Sequence, residues 1–248
     1  MIVLKNASEL ECMRKAGQIA ARALQAGGEA VRPGVTTAQI DAVIEQYIRS
    51  QGAIPSFLGY NGFPNSACIS INEEVIHGIP GSRVVQDGDI VSIDVGAIFQ
   101  GFHGDNAATF AAGEVSQEAA QLMQVTKQSL YKGIAAAVVG ARIGDISHAV
   151  QSCAEQFGFG VVRAYVGHGV GRSLHEAPEV PNYGAPGHGA RLTAGMTIAI
   201  EPMINLGTPQ IKNHADGWTV TSADGSLSAH FEHTIAITKD GPVILTKP

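Results

Sequence analysis

Four carboxylates and one histidine of this sequence stand where they could share divalent cations. Asp94 lies in the run Ile90-Val91-Ser92-Ile93-Asp94-Val95-Gly96, where Val91, Ile93 and Val95 alternate with Ser92 and Gly96. Successive side chains of an extended strand point to opposite faces, so Asp94 projects from the face opposite the apolar residues. Ile98 to Gly101 reads as a tight turn, and a turn centred between Phe99 and Gln100 sets Asp105 directly across from Asp94. Like charges opposite one another destabilise a sheet. A divalent cation relieves that repulsion, because carboxylates on adjacent strands chelate or bridge metals. Glu201, held extended by the following Pro202, and Glu232, within the strand-like Ala229 to Thr238, repeat the arrangement. Four converging carboxylates call for a paired metal centre.

The fifth candidate, His168, sits in Gly167-His168-Gly169-Val170-Gly171, where glycines let the backbone turn closely around an imidazole. A carboxylate-rich set with one histidine suits Mn, Fe or Co. Taken singly, an Asp or Glu is more often a turn, cap or surface residue, and a histidine among glycines is more often structural than a ligand. The constellation is what favours metal. The glycines around His168 are not a nucleotide loop, since no Lys-Ser/Thr pair follows and no dinucleotide fingerprint opens a helix here. His175-Glu176 does not complete a zinc HExxH motif either, because Glu179 stands where the second histidine belongs and Pro178 breaks the helix.

The elements that must position these residues are legible in outline. Ser8-Glu9-Leu10-Glu11 reads as a capping box opening a helix that runs to about Ala30. Arg32-Pro33-Gly34 ends it, and Ile40, Val43, Ile44, Tyr47 and Ile48 mark a second helix from about Thr37 to Gln51-Gly52. Strand-like runs follow at 67–72, 89–98 and 104–111, separated by Pro80-Gly81 and Asp87-Gly88. The order then restarts, with helices over 116–138 and 146–157 and strands near Val161, over 196–204, over 218–221 and over 228–238. Gly88 to Asp94 aligns with Gly195 to Glu201, and His103-Gly104-Asp105 aligns with His230-Phe231-Glu232, so that acid falls on acid. These matches predict a single catalytic domain over 1–248, built as two halves, roughly 1–113 and 114–248, about a pseudo-twofold axis. The fold class is α/β, in finer terms α+β.

Composition sets the boundaries. A chain of 248 residues buries a substantial core without disulfides. Cys12, Cys68 and Cys153 are an odd number at irregular spacing, and read as reduced packing residues of a cytoplasmic protein. No signal peptide and no apolar run long enough to span a membrane is present. A net charge of −6 without a Lys/Arg cluster gives no footprint for nucleic acid.

With these residues in place the chain resembles the type I, bacterial-type methionine aminopeptidases over essentially its whole length. The matching motifs are 72–80 (Asn-Glu-Glu-Val-Ile-His-Gly-Ile-Pro), Asp94-Val95-Gly96, Gly101 to Asp105, Gly167 to Gly171, Ile200 to Met203, Asp216 to Val220, and Phe231 to Thr234. The resemblance implies a "pita-bread" fold, an antiparallel-rich curved sheet covered by two pairs of helices. It implies two divalent metal ions, of Co, Mn or Fe, on Asp94, Asp105, His168, Glu201 and Glu232, with Asp105 and Glu232 bridging. It also implies removal of initiator methionine from nascent polypeptides when the second residue is small, by metal-assisted amide hydrolysis. In that chemistry Glu201 shuttles the proton, His175 stabilises the tetrahedral oxyanion and His77 contacts the scissile amide. On residue type alone, His77 and His175 read as packing or turn residues.

The resemblance further implies a methionine pocket walled by Tyr60, Phe63 and Trp218, with Phe57 and Leu174 nearby. Phe57 stands where many members carry Cys, Asn61 where many carry His, and Leu174 where Phe is common. A monomer with transient ribosome proximity is expected. Proline-specific peptidases share the fold and the ligands, but usually carry an added N-terminal domain for which this chain has no room. It also has no room for the helical insertion of type II enzymes. A metal-free binding protein on the same fold is disfavoured by the intact ligand set.

Overall fold

The computed structural model describes residues 1–248. Four helices, α1 (Ala7–Ala30), α2 (Thr37–Ser50), α3 (Gln117–Ala136) and α4 (Ile143–Glu155), enclose a nine-stranded sheet in which every pairing is antiparallel. The α1 capping box lies two residues before its expected place. Asn6 is the N-cap and accepts from Glu9 N–H at 3.0 Å, while Glu9 accepts from Asn6 N–H at 3.1 Å. Ser8 instead donates its hydroxyl to Asn6 Oδ1. Asn caps as well as Ser and also carries an acid three residues on, so the earlier box prevails.

The centre of the sheet runs in the order Ile90–Phe99, Phe102–Ala111, Glu232–Thr238, Thr197–Ile200. The two middle strands come from corresponding places in the two halves, as do the two outer ones, which is the pseudo-twofold arrangement the sequence predicts. Each half has its own apolar core. One core contains only residues between Ala20 and Ala112, packed from α1, α2 and the sheet face of Val91, Ile93 and Val95. The other gathers residues from Ala119 to Ile237 together with Ile90, under α3 and α4. Burial of these apolar faces fixes which strand faces are left for polar side chains.

The hairpin register differs from the expected one. Asp94 pairs with Ala107, and Asp105 with Gly96. The turn falls at Gln100-Gly101, where both residues take positive φ (51° and 77°), and not at Phe99-Gln100. Such a two-residue turn matches the strand twist and places Gly at its second position. The shift is two positions on the partner strand, so the period-2 alternation keeps both carboxylates on one face as diagonal neighbours.

On the other face, Gly104 lies directly against Gly17 of α1, where a Cβ on Gly104 would collide with the helix backbone. This contact of helix and strand holds the residue before Asp105 from behind. The runs expected over 196–204 and 228–238 are both broken in the middle, at Glu201-Pro202 and at Phe231. At the first break the chain leaves the main sheet for a small one and at the second it returns, the small sheet pairing Met203–Asn205 with Ser228–His230.

Candidate metal centre

A cavity of about 200 Å³ opens on the polar face of the sheet, and Asp94, Asp105, His168, Glu201 and Glu232 all line it. They arrive from four separate strand segments and one loop junction, which explains why sequence distance hides the grouping. Asp105, His168 and Glu232 are buried and can each present one ligand atom within 4.8 Å of the others. Asp94 and Glu201 are half-buried at the sides. His168 Nε2 stands 3.7 Å from Asp105 Oδ2 and 3.4 Å from Glu201 Oε1, while His168 Nδ1 faces the Gly169 carbonyl at 2.9 Å. That contact orients the ring with Nε2 toward the carboxylates.

The electrostatics are those of a site short of positive charge. Burial raises the carboxyl groups of Asp94, Glu201 and Glu232 well above the usual carboxylate range, and their neighbours' negative charges raise them further. Burial carries Asp105 to about 7. His168 is pushed down to about 3, first by burial and then by His175. Asp94 Oδ1, Asp105 Oδ1 and Glu232 Oε1 are buried with no hydrogen-bond partner. Buried polar atoms without partners are costly, and in native proteins they are normally satisfied. Three orphaned carboxylate oxygens around one imidazole nitrogen fit divalent cations of the hard-to-borderline class.

The expected substrate residues lie on the same cavity. His77, His175, Tyr60, Phe63, Phe57 and Trp218 all line it, with Asn61 and Leu174. Phe57, Phe63, Cys68 and Leu174 form one apolar cluster, against which Tyr60 and Trp218 pack. Phe63 meets Trp218 edge-on at 5.1 Å. His77 holds a left-handed backbone (φ 59°) before Gly78, whose Cα presses on the Ile69 carbonyl so closely that a side chain there would collide. Its ring stands edge-on to Tyr165 at 5.5 Å and to Trp218 at 6.3 Å. Burial, and secondarily His175, lowers His77 to about 4, so it is a neutral imidazole at physiological pH. His175 is exposed at the mouth, hydrogen-bonded through Nδ1 to the Tyr60 hydroxyl at 2.8 Å and 4.0 Å from the His168 ring centre.

Two residues escaped the sequence reading. Cys68, expected to be a packing residue, is the cross-strand partner of Asp94 and forms part of the cavity wall. Only the pairing of the Ala67–Ile71 strand reveals this, and no spacing in the sequence encodes it. His230 is almost fully buried, with Nε2 unpartnered and 3.9 Å from Glu201 Oε2. Its alignment with His103 in the internal repeat was a signal, yet the two histidines diverge. His103 is tied to Ser56 Oγ at 3.0 Å.

Residues 11–239 match metallopeptidase family M24. The chain is 56% identical over 247 residues to a methionine aminopeptidase of Clostridium acetobutylicum, covering 99% of both proteins. It is 53% identical over 247 residues to methionine aminopeptidase 1 of Bacillus subtilis, covering all of both. The crystal structure of a methionine aminopeptidase from Thermotoga maritima superposes over the full length of both chains with a TM-score of 0.99 at 46% identity. The pita-bread fold expected from the sequence is thus the fold of its solved relatives. The chain belongs to the methionine aminopeptidases of metallopeptidase family M24.

Proposed function

We propose that this protein removes the initiator methionine from nascent polypeptides, acting on the first peptide bond when the second residue is small. The observation that carries this reading is the joining of two surfaces in one cavity. One is a set of buried carboxylates with orphaned oxygens, and the other an apolar pocket walled by Phe57, Phe63, Leu174 and Trp218. Asp94, Asp105, His168, Glu201 and Glu232 would hold two divalent ions, of Mn, Fe or Co, with Asp105 and Glu232 shared between them. Bound there, the ions supply Lewis acidity toward the scissile carbonyl and lower the pKa of water.

The chain's own residues do the rest. Phe57, Phe63 and Trp218 surround the thioether side chain, and sulfur favours such ring contacts. Glu201, which lines the cavity beside the other carboxylates, takes a proton from the attacking water and delivers it to the leaving nitrogen. His175 donates to the developing oxyanion, and neutral His77 hydrogen-bonds the scissile amide. Because the candidate ligands come from both halves, residues 1–248 act as one catalytic unit.

No helix is long and apolar enough to cross a membrane, and all three cysteines are free. Free thiols are usual in a reducing compartment, which supports a cytoplasmic setting. The test is a pair of peptides offered to metal-supplied protein. Met-Gly-x should lose its methionine, and Gly-Pro-x should not be cut after Gly. The reverse pattern would give the site to a proline-directed peptidase.

A further inference from the structure

Outside the carboxylate cluster, one ion pair is withdrawn from solvent. Lys5 Nζ meets Glu176 Oε2 across 171 residues of sequence, with side chains only 3% and 14% exposed. Every arginine–carboxylate pair, by contrast, leaves its arginine at least 42% exposed. A pair like Lys5–Glu176 loses much solvation on folding, and removing one partner leaves an uncompensated buried charge.

Its place in the chain is what matters. Glu176 directly follows His175. Its second oxygen, Oε1, accepts from Ser173 N–H at 3.2 Å, closing the short loop that carries Leu174 and His175. The carboxylate lies flat against Gly171, where any side chain would collide with it. Lys5 is itself fixed, its N–H donating to the Gly195 carbonyl at 2.8 Å and its ammonium also donating to the Val3 carbonyl at 3.2 Å. Gly195 opens the segment that becomes the Thr197–Ile200 strand and then Glu201. His175 is exposed, so its direction depends on what holds the loop beneath it and on the Tyr60 hydroxyl above it.

We infer that Lys5 and Glu176 are a positioning pair, which ties the loop bearing His175 to the sheet that carries Glu201 and so sets the aim of the imidazole at the scissile carbonyl. The inference rests on the role given to His175 above. Lys5 touches no substrate atom and acts only through His175. If the pair is broken, the Glu176 carboxylate turns to solvent and its neighbour shifts. Misplacing a group by about 1 Å can cost about 100-fold in rate.

The experiment compares Lys5→Met, His175→Ala and the double variant, on Met-Gly-x with saturating Mn. Metal content and melting temperature are measured alongside. Lys5→Met should lower kcat about tenfold or more with little change in KM or metal content, and should cause no further loss in the His175→Ala background. In metal-free protein, the His175 ring resonance should be sharp in wild type and broadened or shifted in Lys5→Met. Glu176→Gln, which keeps an acceptor for Ser173, serves if Lys5→Met does not fold, with the same expectation. A wild-type kcat in Lys5→Met beside a slow His175→Ala overturns the positioning role alone. So does an equal, multiplicative loss in both backgrounds. His175→Ala turning over at the wild-type rate overturns the role of His175 and this inference with it.

Discussion

Asp105 and Thr234 clasp each other across the seam between the two halves: Asp105 N–H donates to Thr234 Oγ1 at 3.0 Å, and that hydroxyl donates back to the Asp105 carbonyl at 2.8 Å. Thr109 clasps His230 in the same way, at 2.9 Å in both directions. Between the two clasps lie the only paired positions of these strands, Glu232 with Ala107 and His233 with Asn106. The clasps therefore set the approach of Asp105 and Glu232. Thr234→Val keeps the shape but leaves a buried N–H and C=O without partners. Chemical denaturation should show a loss of about 1–3 kcal/mol, and metal titration a weaker affinity. Wild-type stability would show that the clasp is energetically idle.

The inner and outer carboxylates should behave differently. Asp105→Asn or Glu232→Gln, in the buried trio with His168, should abolish binding of both ions. Asp94→Asn, at the half-buried edge, should retain roughly one ion per chain. Elemental analysis of protein purified without chelators decides this. Equal losses from all three variants would contradict the shared-ligand arrangement.

Metal-free protein should lose stability as pH rises above neutrality. Burial and neighbouring charge raise Asp94, Glu201 and Glu232, and burial raises Asp105 to about 7. The folded chain then binds more protons than the unfolded one from about pH 4 up to the raised values, and stability falls through that window. His168 and His230, lowered to about 3 mainly by burial, and His77, lowered to about 4, act oppositely up to about 6.5. Above that pH the histidine contribution, to which His103 and His233 at about 4 also belong, fades and the carboxylates dominate. The melting temperature of metal-free protein should fall between about pH 6.5 and 8, and divalent cations should flatten the decline. A rise in the metal-free curve over this range would refute the assignment.

The pocket wall depends on Asp41 of α2, which accepts from Asn65 Nδ2 at 2.8 Å, Ser66 N–H at 3.1 Å and Ala67 N–H at 2.9 Å. These contacts anchor the segment between Phe63 and Cys68. Asp41→Ala should cost about 2 kcal/mol in stability and raise KM for methionyl peptides severalfold, with kcat little changed. An unaltered KM would show that the loop is held by its aromatic packing alone.

The sequence revealed the helices and the acidic repeat because both are periodic or self-similar. Apolar spacing marks α1 and α2, and the alternation around Asp94 gives the correct face even though the register was misplaced by two positions. A two-residue slip preserves the face, so the grouping of Asp94 with Asp105 survived the error. Cys68, by contrast, joins the site through strand pairing, and Lys5 through a contact across 171 residues. Neither has a local signature. The Asn6 cap was missed because Ser8 satisfied the same three-residue rule.

The carboxylate cluster makes this chain a metal-dependent remover of N-terminal methionine. That dependence is tested most directly by stripping the protein with chelator and titrating Mn or Co back while following release of methionine from Met-Gly-x. No turnover without metal is predicted, with activity rising to a plateau as the cluster fills, and no such activity in His168→Ala at any metal concentration. Full turnover of the stripped protein, or a His168→Ala variant with wild-type activity and metal content, would contradict it.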